Sequence, residues 1–132
     1  MKHTKKTILI VEDSPVQALA LSTLLESLGV NILHAADGQS GVEMARRNMP
    51  ELILLDVEMP GMNGLEACCR LRDDSGTARI PIILFTTHTD QETIRDGLMG
   101  GAIDFIPKDG FYQAVLLETL KQMKFFEPGL VA

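Results

Sequence analysis

The chain alternates five times between a short apolar run and a segment with helical periodicity, and this alternation limits its fold more than any other feature. The runs are Thr7–Val11, Val30–His34, Leu52–Leu55, Ile80–Phe85 and Ala102–Ile106. Several are apolar on both faces, which is typical of strands in a parallel sheet that is covered on both sides. Strands and helices that alternate at this spacing predict right-handed crossovers and helices on both faces of one parallel sheet.

Five helices are predicted between and after these strands. They are Ser14–Leu28, Gly38–Asn48, a segment from Asn63 or Gly64 to about Arg72, Asp90–Met99 and Phe111–Lys124. In the first helix, Ser14 is the expected N-cap, Pro15 suits the first turn, and Gly29 ends the helix. Its core face is predicted to carry Val16, Leu19, Ala20, Thr23, Leu24 and Leu28. Asp109 is the expected N-cap of the fifth helix.

The last helix and the residues after it contain more apolar side chains than one core stripe needs. The predicted core stripe is Phe111, Val115, Leu116, Thr119, Leu120 and Met123,. The apolar residues left over are Tyr112, Leu117, Phe125, Phe126, Leu130 and Val131. An exposed group of this extent predicts a contact site for a partner or for a second copy of the chain, with homodimerisation the simplest form. The alternative is that Phe125 and Phe126 fold back onto the base of the domain.

Composition excludes several classes of protein. The length of 132 residues suits one domain, and the net charge of −6 argues against direct binding to nucleic acid,. No apolar run approaches the ~20 residues of a membrane span, and the first residues do not resemble a signal peptide. Cys68 and Cys69 are adjacent, a spacing that suits neither an ordinary disulfide nor a zinc site,. We expect one core thiol, one half-exposed thiol and a cytoplasmic setting.

Polar residues follow the predicted strands, where ligands bind in sheets of this kind. Glu12 and Asp13 follow the first strand, Asp56 the third, Thr86 the fourth and Lys108 the fifth. Three clustered carboxylates repel one another unless a hard cation such as Mg²⁺ or Mn²⁺ lies among them. A carboxylate can then accept a phosphoryl group whose oxygens are bound by an ammonium and a hydroxyl. This pattern predicts metal-dependent phosphoryl transfer to an aspartate.

Four segments carry a resemblance to a known family. They are Val11–Ser14, Leu54–Gly64, Phe85–Thr86 and Asp104–Lys108. The Asp-x-x-Met-Pro-x-Met-x-Gly run from Asp56 to Gly64 is the most specific of them. Together they resemble the receiver domain of two-component response regulators, which is CheY-like. The resemblance implies one doubly wound, flavodoxin-like α/β domain over residues 1–132, with a core of about 6–126, five helices and the strand order 2-1-3-4-5.

The resemblance also assigns the acidic residues. Asp56 is similar to the phosphoacceptor, and Glu12 and Asp13 match the acidic pair. Mg²⁺ would be held by Asp13, Asp56 and the backbone carbonyl of Glu58, with Glu12 acting through a bound water. The phosphoryl donor would be a sensor histidine kinase or a phosphotransfer protein. Such a domain catalyses only its own phosphorylation and slow dephosphorylation, and it serves phosphorelay signal transduction alone or as a piece of a larger regulator.

The remaining assignments concern the switch. Lys108 matches the lysine that pairs with the phosphoryl oxygens, and Thr86 matches the hydroxyl residue that moves to bind them. Phe105 lies at the position of an aromatic ring that turns inward with that hydroxyl. An output partner would bind through the surface formed by helix 4, strand 5 and helix 5. Glu58 and His88 lie where the family tunes hydrolysis of the acyl phosphate, although both positions also suit simple exposed polar residues.

The chain departs from the family pattern at two places. Asp109 follows Lys108, where the family has a proline after a cis bond, and a cis Lys108–Asp109 bond would cost about 2.5–4 kcal/mol,. The loop after strand 5 is therefore expected to differ in shape. Thr87 is larger than the usual residue and is expected to narrow access to the phosphoryl group. Two other readings stay open: a haloacid-dehalogenase-type phosphohydrolase, whose Asp-x-Asp motif Asp56-x-Glu58 resembles, and a pseudo-receiver that acts only as a binding scaffold.

Overall fold

The computed structural model of the protein describes residues 5–87 and 90–125. Its strands are Thr7–Val11 (β1), Asn31–Ala35 (β2), Leu52–Asp56 (β3), Ile82–Thr86 (β4) and Asp104–Pro107 (β5). Its helices are Pro15–Glu26 (α1), Gly38–Asn48 (α2), Gly64–Asp73 (α3), Gln91–Met99 (α4) and Tyr112–Gln122 (α5). The predicted alternation of strand and helix is confirmed, and the predicted segments differ from the observed ones mainly at their ends.

The five strands form one parallel sheet in the order β2-β1-β3-β4-β5. The predicted doubly wound α/β fold and its strand order are therefore confirmed. The chain moves outward from β1 to β2 and then returns to β3 on the other side of β1. Connections that leave β1 and β3 in opposite directions open a crevice at the carboxyl ends of these strands, where this class of sheet binds ligands.

Helices cover both faces of the sheet because successive strand residues point to opposite sides. Leu9 and Val11 pack into one core layer, and Ile8 and Ile10 pack into the other. The first layer is closed by α2 and α3, which contribute Val42, Ala45, Ala67, Cys68 and Leu71. The second layer is closed by α1 and α5, which contribute Leu21, Leu25, Leu116 and Leu120. All five residues of β3 are buried, so the last residue of that strand lies in the interior of the site edge.

Polar caps start four of the helices and fix where the loops above the sheet end. The side chains of Ser14, Asp37, Asn63 and Asp90 each accept a backbone N–H from the first turn that follows,. The prediction that Asp109 caps α5 is wrong, since Phe111 occupies the N-cap position and its side chain has no group that could cap a helix. Asp109 instead accepts the backbone N–H of Phe111 at 2.9 Å. The turn at Gly110 separates the carboxylate from the start of the helix.

The predicted core face of α1 is wrong except at Leu28, which packs against the core layer under α1 and α5. Val16 and Leu19 are 78% and 67% exposed, whereas Ala18, Leu21 and Leu25 are buried. Apolar residues lie all around this helix, so periodicity alone allows several faces. The face that meets the sheet was therefore not marked by the sequence pattern.

The predicted core stripe of α5 is only partly right. Leu116 and Leu120 are buried, but Phe111 and Val115 are 76% and 41% exposed. Tyr112, a residue of the predicted contact surface, packs edge-on against Phe85 with ring centroids 6.1 Å apart. The core face of α5 therefore runs through Tyr112, Leu116 and Leu120, at intervals of four residues, and it ends at Met123,.

The end of α5 is joined to the start of β1. Phe125 is buried, so it belongs to the core and not to a contact surface. The Lys6 Nζ donates to the Phe125 carbonyl at 2.6 Å and lies 4.7 Å from the ring centroid of the same residue,. Phe126, Leu130 and Val131 of the predicted contact surface lie outside the described residues.

Two smaller expectations concern the thiols and the membrane. Cys68 is buried and Cys69 is exposed, and both are free, as expected from their adjacent positions. Burial raises the pKa of the Cys68 thiol to about 11, although the nearby charge of Arg72 opposes this. Within residues 5–87 and 90–125, none of the helices has the length and apolar character needed to cross a bilayer.

Candidate functional site

Three carboxylates meet where β1 and β3 end. Glu12 and Asp13 follow β1 directly, and Asp56 is the last residue of β3. One carboxylate oxygen from each of the three lies within 4.8 Å of those from the other two. Glu12 and Asp56 are only 3% and 2% exposed, whereas Asp13 is exposed to solvent. The structure thus brings together the three acids that the sequence predicted, two of them in the interior and one at the entrance.

Lys108 reaches this cluster from the loop after β5. Its Nζ lies 2.9 Å from Glu12 Oε1 and 3.0 Å from Asp56 Oδ2, and its side chain is 17% exposed. Burial by itself lowers the pKa of Lys108, but the hydrogen bonds and charges of Glu12 and Asp56 outweigh it and raise the pKa above its ordinary value,. Lys108 is therefore a cation at neutral pH. Three carboxylates and one ammonium leave a formal charge of −2 at the site.

Backbone groups orient both buried acids. Glu12 Oε2 accepts the N–H of Ser14 at 3.1 Å. The backbone carbonyl oxygen of Glu12 lies 2.8 Å from Nε2 of His34. The backbone N–H of Glu12 donates to the carbonyl oxygen of Ala35 at 3.0 Å. Asp56 Oδ1 accepts the N–H of Glu58 at 3.1 Å. Each buried carboxylate thus has one oxygen held by the backbone and another held by Lys108.

The loop after Asp56 is held against α3 by a close backbone approach. The Gly64 N–H donates to the Val57 carbonyl at 2.9 Å, and the Val57 N–H donates to the Phe85 carbonyl at 2.9 Å. A Cβ on Gly64 would lie 2.2 Å from the carbonyl oxygen of Asp56. Gly61, within the same loop, has a φ of +74°, which favours glycine,. This loop carries the Glu58 carbonyl that the family resemblance assigns to the metal.

The loop after β5 keeps Lys108 at the site without a cis bond. The described residues contain no cis peptide, so the Lys108–Asp109 bond is trans. The Lys108 N–H donates to the Thr86 carbonyl at 2.8 Å and extends the pairing of β5 with β4. The absence of a proline at position 109 therefore does not prevent the ammonium from reaching the acids.

The two threonines at the end of β4 bind the side chain of Glu58. Thr86 is buried, and its hydroxyl donates to Glu58 Oε1 at 3.2 Å. The Thr87 backbone N–H donates to the same oxygen at 2.9 Å, and the Thr87 hydroxyl lies 2.7 and 2.8 Å from the two carboxylate oxygens. Sequence reasoning missed this arrangement. Nothing in the spacing of the three residues signals it, because it depends on how the β3 and β4 loops face each other.

Two further residues named from the sequence lie away from the acids or outside the described part. Phe105 is half-buried in β5, opposite Leu84, and packs against the core layer under α2 and α3. His88 lies outside the described residues. The rate-tuning prediction at that position therefore stays a prediction.

The residues of the cluster fit a hard divalent cation. All of their donor atoms are oxygens, which Mg²⁺ and Mn²⁺ prefer over nitrogen and sulfur,. The formal charge of −2 equals the charge that such an ion would neutralise. Asp13 is exposed, so the cluster can be reached from the solvent.

Comparison with known proteins gives a consistent result. The response regulator receiver domain family matches residues 8–121. This chain is a response regulator receiver domain. Protein PilH of Pseudomonas aeruginosa is 43% identical over 114 residues, which are 86% of this chain and 93% of PilH. Other relatives are longer than this chain. The DNA-binding response regulator MtrA of Mycolicibacterium smegmatis is 37% identical over 82% of this chain, and the matched part is 46% of MtrA.

Solved structures agree with the fold. The chemotaxis protein CheY4 of Vibrio cholerae is 31% identical, with a TM-score of 0.83 over 90% of this chain and 98% of CheY4. The receiver domain of the sensor histidine kinase PA1611 from P. aeruginosa was solved with a magnesium ion coordinated in its active site cleft. It is 32% identical, with a TM-score of 0.81 over 90% of this chain and 97% of that one. The predicted CheY-like receiver fold is confirmed.

Proposed function

We propose that this receiver domain accepts a phosphoryl group on Asp56, in a Mg²⁺-dependent reaction, from a sensor histidine kinase or a phosphotransfer protein. The observation that carries the proposal is the position of the Asp56 carboxylate. It ends the central strand, lies with Glu12 and Asp13 in one cluster of oxygens, and has Lys108 at 3.0 Å. A buried acid beside a lysine and two further acids suits a nucleophile better than a structural cap.

The residues divide the chemistry of the transfer among them. An oxygen of Asp56 forms the new bond to phosphorus while the bond from phosphorus to the donor nitrogen breaks, and the electron pair of that bond stays on the donor. Lys108, which holds Glu12 and Asp56 before the reaction, binds a phosphoryl oxygen afterwards,. Mg²⁺, or Mn²⁺ in its place, would be held by Asp13, Asp56 and the Glu58 carbonyl, with Glu12 acting through water, and would offset the negative charge of acids and phosphoryl group.

The same site would drive a conformational switch. Thr86 would donate a hydrogen bond from its hydroxyl to the phosphoryl group, and its movement would be passed to Phe105, which is half-buried in the adjacent strand β5 opposite Leu84,. The output surface would be formed by α4, β5 and α5. Exposed apolar side chains occur at the end of α4 and just before β5, where Leu98, Met99 and Ile103 are 43%, 81% and 49% exposed. These side chains support partner binding or homodimerisation through that surface.

The proposed scope is that of a signalling switch. The domain, residues 1–132 with a core of about 6–126, catalyses its own phosphorylation and slow dephosphorylation and acts on no separate substrate. Thr87 beside the site, Glu58 and His88 would tune the rate of dephosphorylation. The two free thiols support a cytoplasmic setting,.

Labelling and metal binding test this proposal together. Asp56→Asn should abolish labelling by acetyl phosphate or by a histidine kinase, and Asp13→Ala should weaken Mg²⁺ binding. Full labelling of Asp56→Asn would refute the assignment of the phosphoacceptor. Failure of the unaltered protein to bind beryllofluoride with Mg²⁺ would favour the pseudo-receiver, which acts only as a scaffold.

A further inference from the structure

The carboxylate of Glu58 accepts several hydrogen bonds although the residue lies in an exposed loop. Glu58 is exposed, yet its Oε1 accepts hydrogen bonds from the Thr86 hydroxyl, the Thr87 N–H and the Thr87 hydroxyl. Its Oε2 lies 2.8 Å from the Thr87 hydroxyl as well. Long exposed side chains lose conformational freedom when they are fixed, so a contact of this kind needs several bonds to persist.

The bonds converge on one anionic oxygen. Donors from a buried hydroxyl, a backbone amide and an exposed hydroxyl all lie within 3.2 Å of Glu58 Oε1. The same cluster of donors could bind an anionic oxygen of a phosphoryl group. A phosphoryl group on Asp56 that binds the Thr86 hydroxyl must therefore take it from the Glu58 carboxylate, and the two anions also repel each other.

We propose that Glu58 is a carboxylate latch, which holds Thr86 and Thr87 in the unphosphorylated arrangement and which the phosphoryl group on Asp56 must displace. This inference rests on the proposed function, because it assigns a competitor to the same hydroxyl. Glu58 and Thr87 are positioning residues that act through Thr86. The latch lowers the affinity of the site for a phosphoryl group and keeps the unphosphorylated domain in its resting conformation.

Thr87 gives the latch its particular strength. Its hydroxyl supplies the two shortest of the contacts to Glu58, at 2.7 and 2.8 Å. Alanine at this position would remove both and leave the backbone N–H in place. Serine would keep the hydroxyl, so it serves as the conservative rescue.

Beryllofluoride, which mimics a phosphoryl group, measures the competition directly. At saturating Mg²⁺, Glu58→Ala and Thr87→Ala should each bind it about three- to tenfold more tightly than the unaltered domain, since each loses charge-assisted hydrogen bonds of the resting state. Thr87→Ser should bind it as the unaltered domain does. Glu26→Gln, an exposed substitution at the opposite end of α1 that removes the same charge, is the matched control and should change nothing.

A double-mutant cycle separates a latch from a simple charge effect. If Glu58 only repels the anion, then Thr87→Ala should leave the affinity unchanged, and this result would overturn the latch. If the latch exists, the double variant should gain little beyond Glu58→Ala, because both substitutions break one interaction. Fully additive effects would also overturn it.

The resting state can be tested without metal or fluoride. The Thr87 amide donates to Glu58 Oε1 at 2.9 Å, so its hydrogen exchange, followed by NMR, should be about tenfold faster in Glu58→Ala than in Glu26→Gln. Equal exchange in the two variants would overturn the latch while leaving the proposed function intact. If instead the exchange changes as expected but the unaltered domain never binds beryllofluoride, the proposed function fails, and with it the latch as a competitor of the phosphoryl group.

Discussion

Substituting Gly64 by alanine would place a methyl carbon 2.2 Å from the carbonyl oxygen of Asp56 and 2.8 Å from the Cα of Val57. Atoms in contact normally lie about 3.5 Å apart, so the two segments would have to separate by roughly 1 Å. Neither neighbour can rotate away, because both are backbone, and Asp56 ends a fully buried strand. The strain must therefore be taken up by the loop that carries the phosphoacceptor.

Two opposing effects set the size of this change. Overpacking of a tight core costs about 1–3 kcal/mol, and contact with backbone on two sides places Gly64→Ala at the upper end, at about 3 kcal/mol. Alanine in a helix is favoured over glycine by up to about 1 kcal/mol, and Gly64 is the first residue of α3. The overpacking term wins, and we expect a net loss of about 2 kcal/mol in the free energy of unfolding.

Urea unfolding of Gly64→Ala beside Gly110→Ala measures this loss. A Cβ on Gly110 would have no atom within 4 Å, so that control should leave the free energy of unfolding unchanged or raise it by about 0.4–1 kcal/mol. Mg²⁺ affinity should also fall in Gly64→Ala, because the displaced loop carries Asp56 and the Glu58 carbonyl. Equal unfolding midpoints and equal Mg²⁺ affinities for the two variants would refute the reasoning.

Two further predictions use the charges and thiols of the described residues. Lys108→Met leaves Glu12 and Asp56 without their ammonium. It should lower the free energy of unfolding by about 2 kcal/mol in metal-free buffer, less than for a fully buried pair because the lysine is 17% exposed,. Mg²⁺ should restore part of this loss, and an unchanged urea midpoint without metal would contradict it. Cys69 should react with a thiol reagent in the native protein, whereas Cys68, with its pKa raised to about 11, stays a neutral thiol at pH 8 and should react only after unfolding,. Rapid reaction of both thiols would count against the assigned burial.

Much of the fold could be predicted because its signals are local. The bounds predicted for the second helix agree with α2 at both ends, since Asp37 and the following turn begin it without competition. The acids at the ends of β1 and β3 could be placed because parallel strands bring their carboxyl ends to one edge. The packing of Lys108 on Glu12 and Asp56 follows from the same rule.

The failures share one physical cause, which is that they depend on how neighbouring elements face each other. In α1, apolar residues on all sides left the core face undecided, and Leu19 was assigned to the core although it is exposed. In α5, Phe111 was predicted in the core but is the exposed N-cap residue, whereas Tyr112 packs against the core. Thr86 and Thr87 lie 28 and 29 residues after Glu58 in the sequence, so no local pattern marks the hydrogen bonds between them.

The chemical identity of the phosphorylated residue tests the proposed function at its centre. The domain would be incubated with acetyl phosphate and Mg²⁺, reduced with borohydride, which converts an aspartyl phosphate to homoserine, and digested for mass spectrometry of its peptides. We expect homoserine at position 56 and unmodified residues at positions 12 and 13. Homoserine at position 13, or a phosphate on Thr86 with Asp56 unmodified, would contradict the assignment of Asp56 as the acceptor.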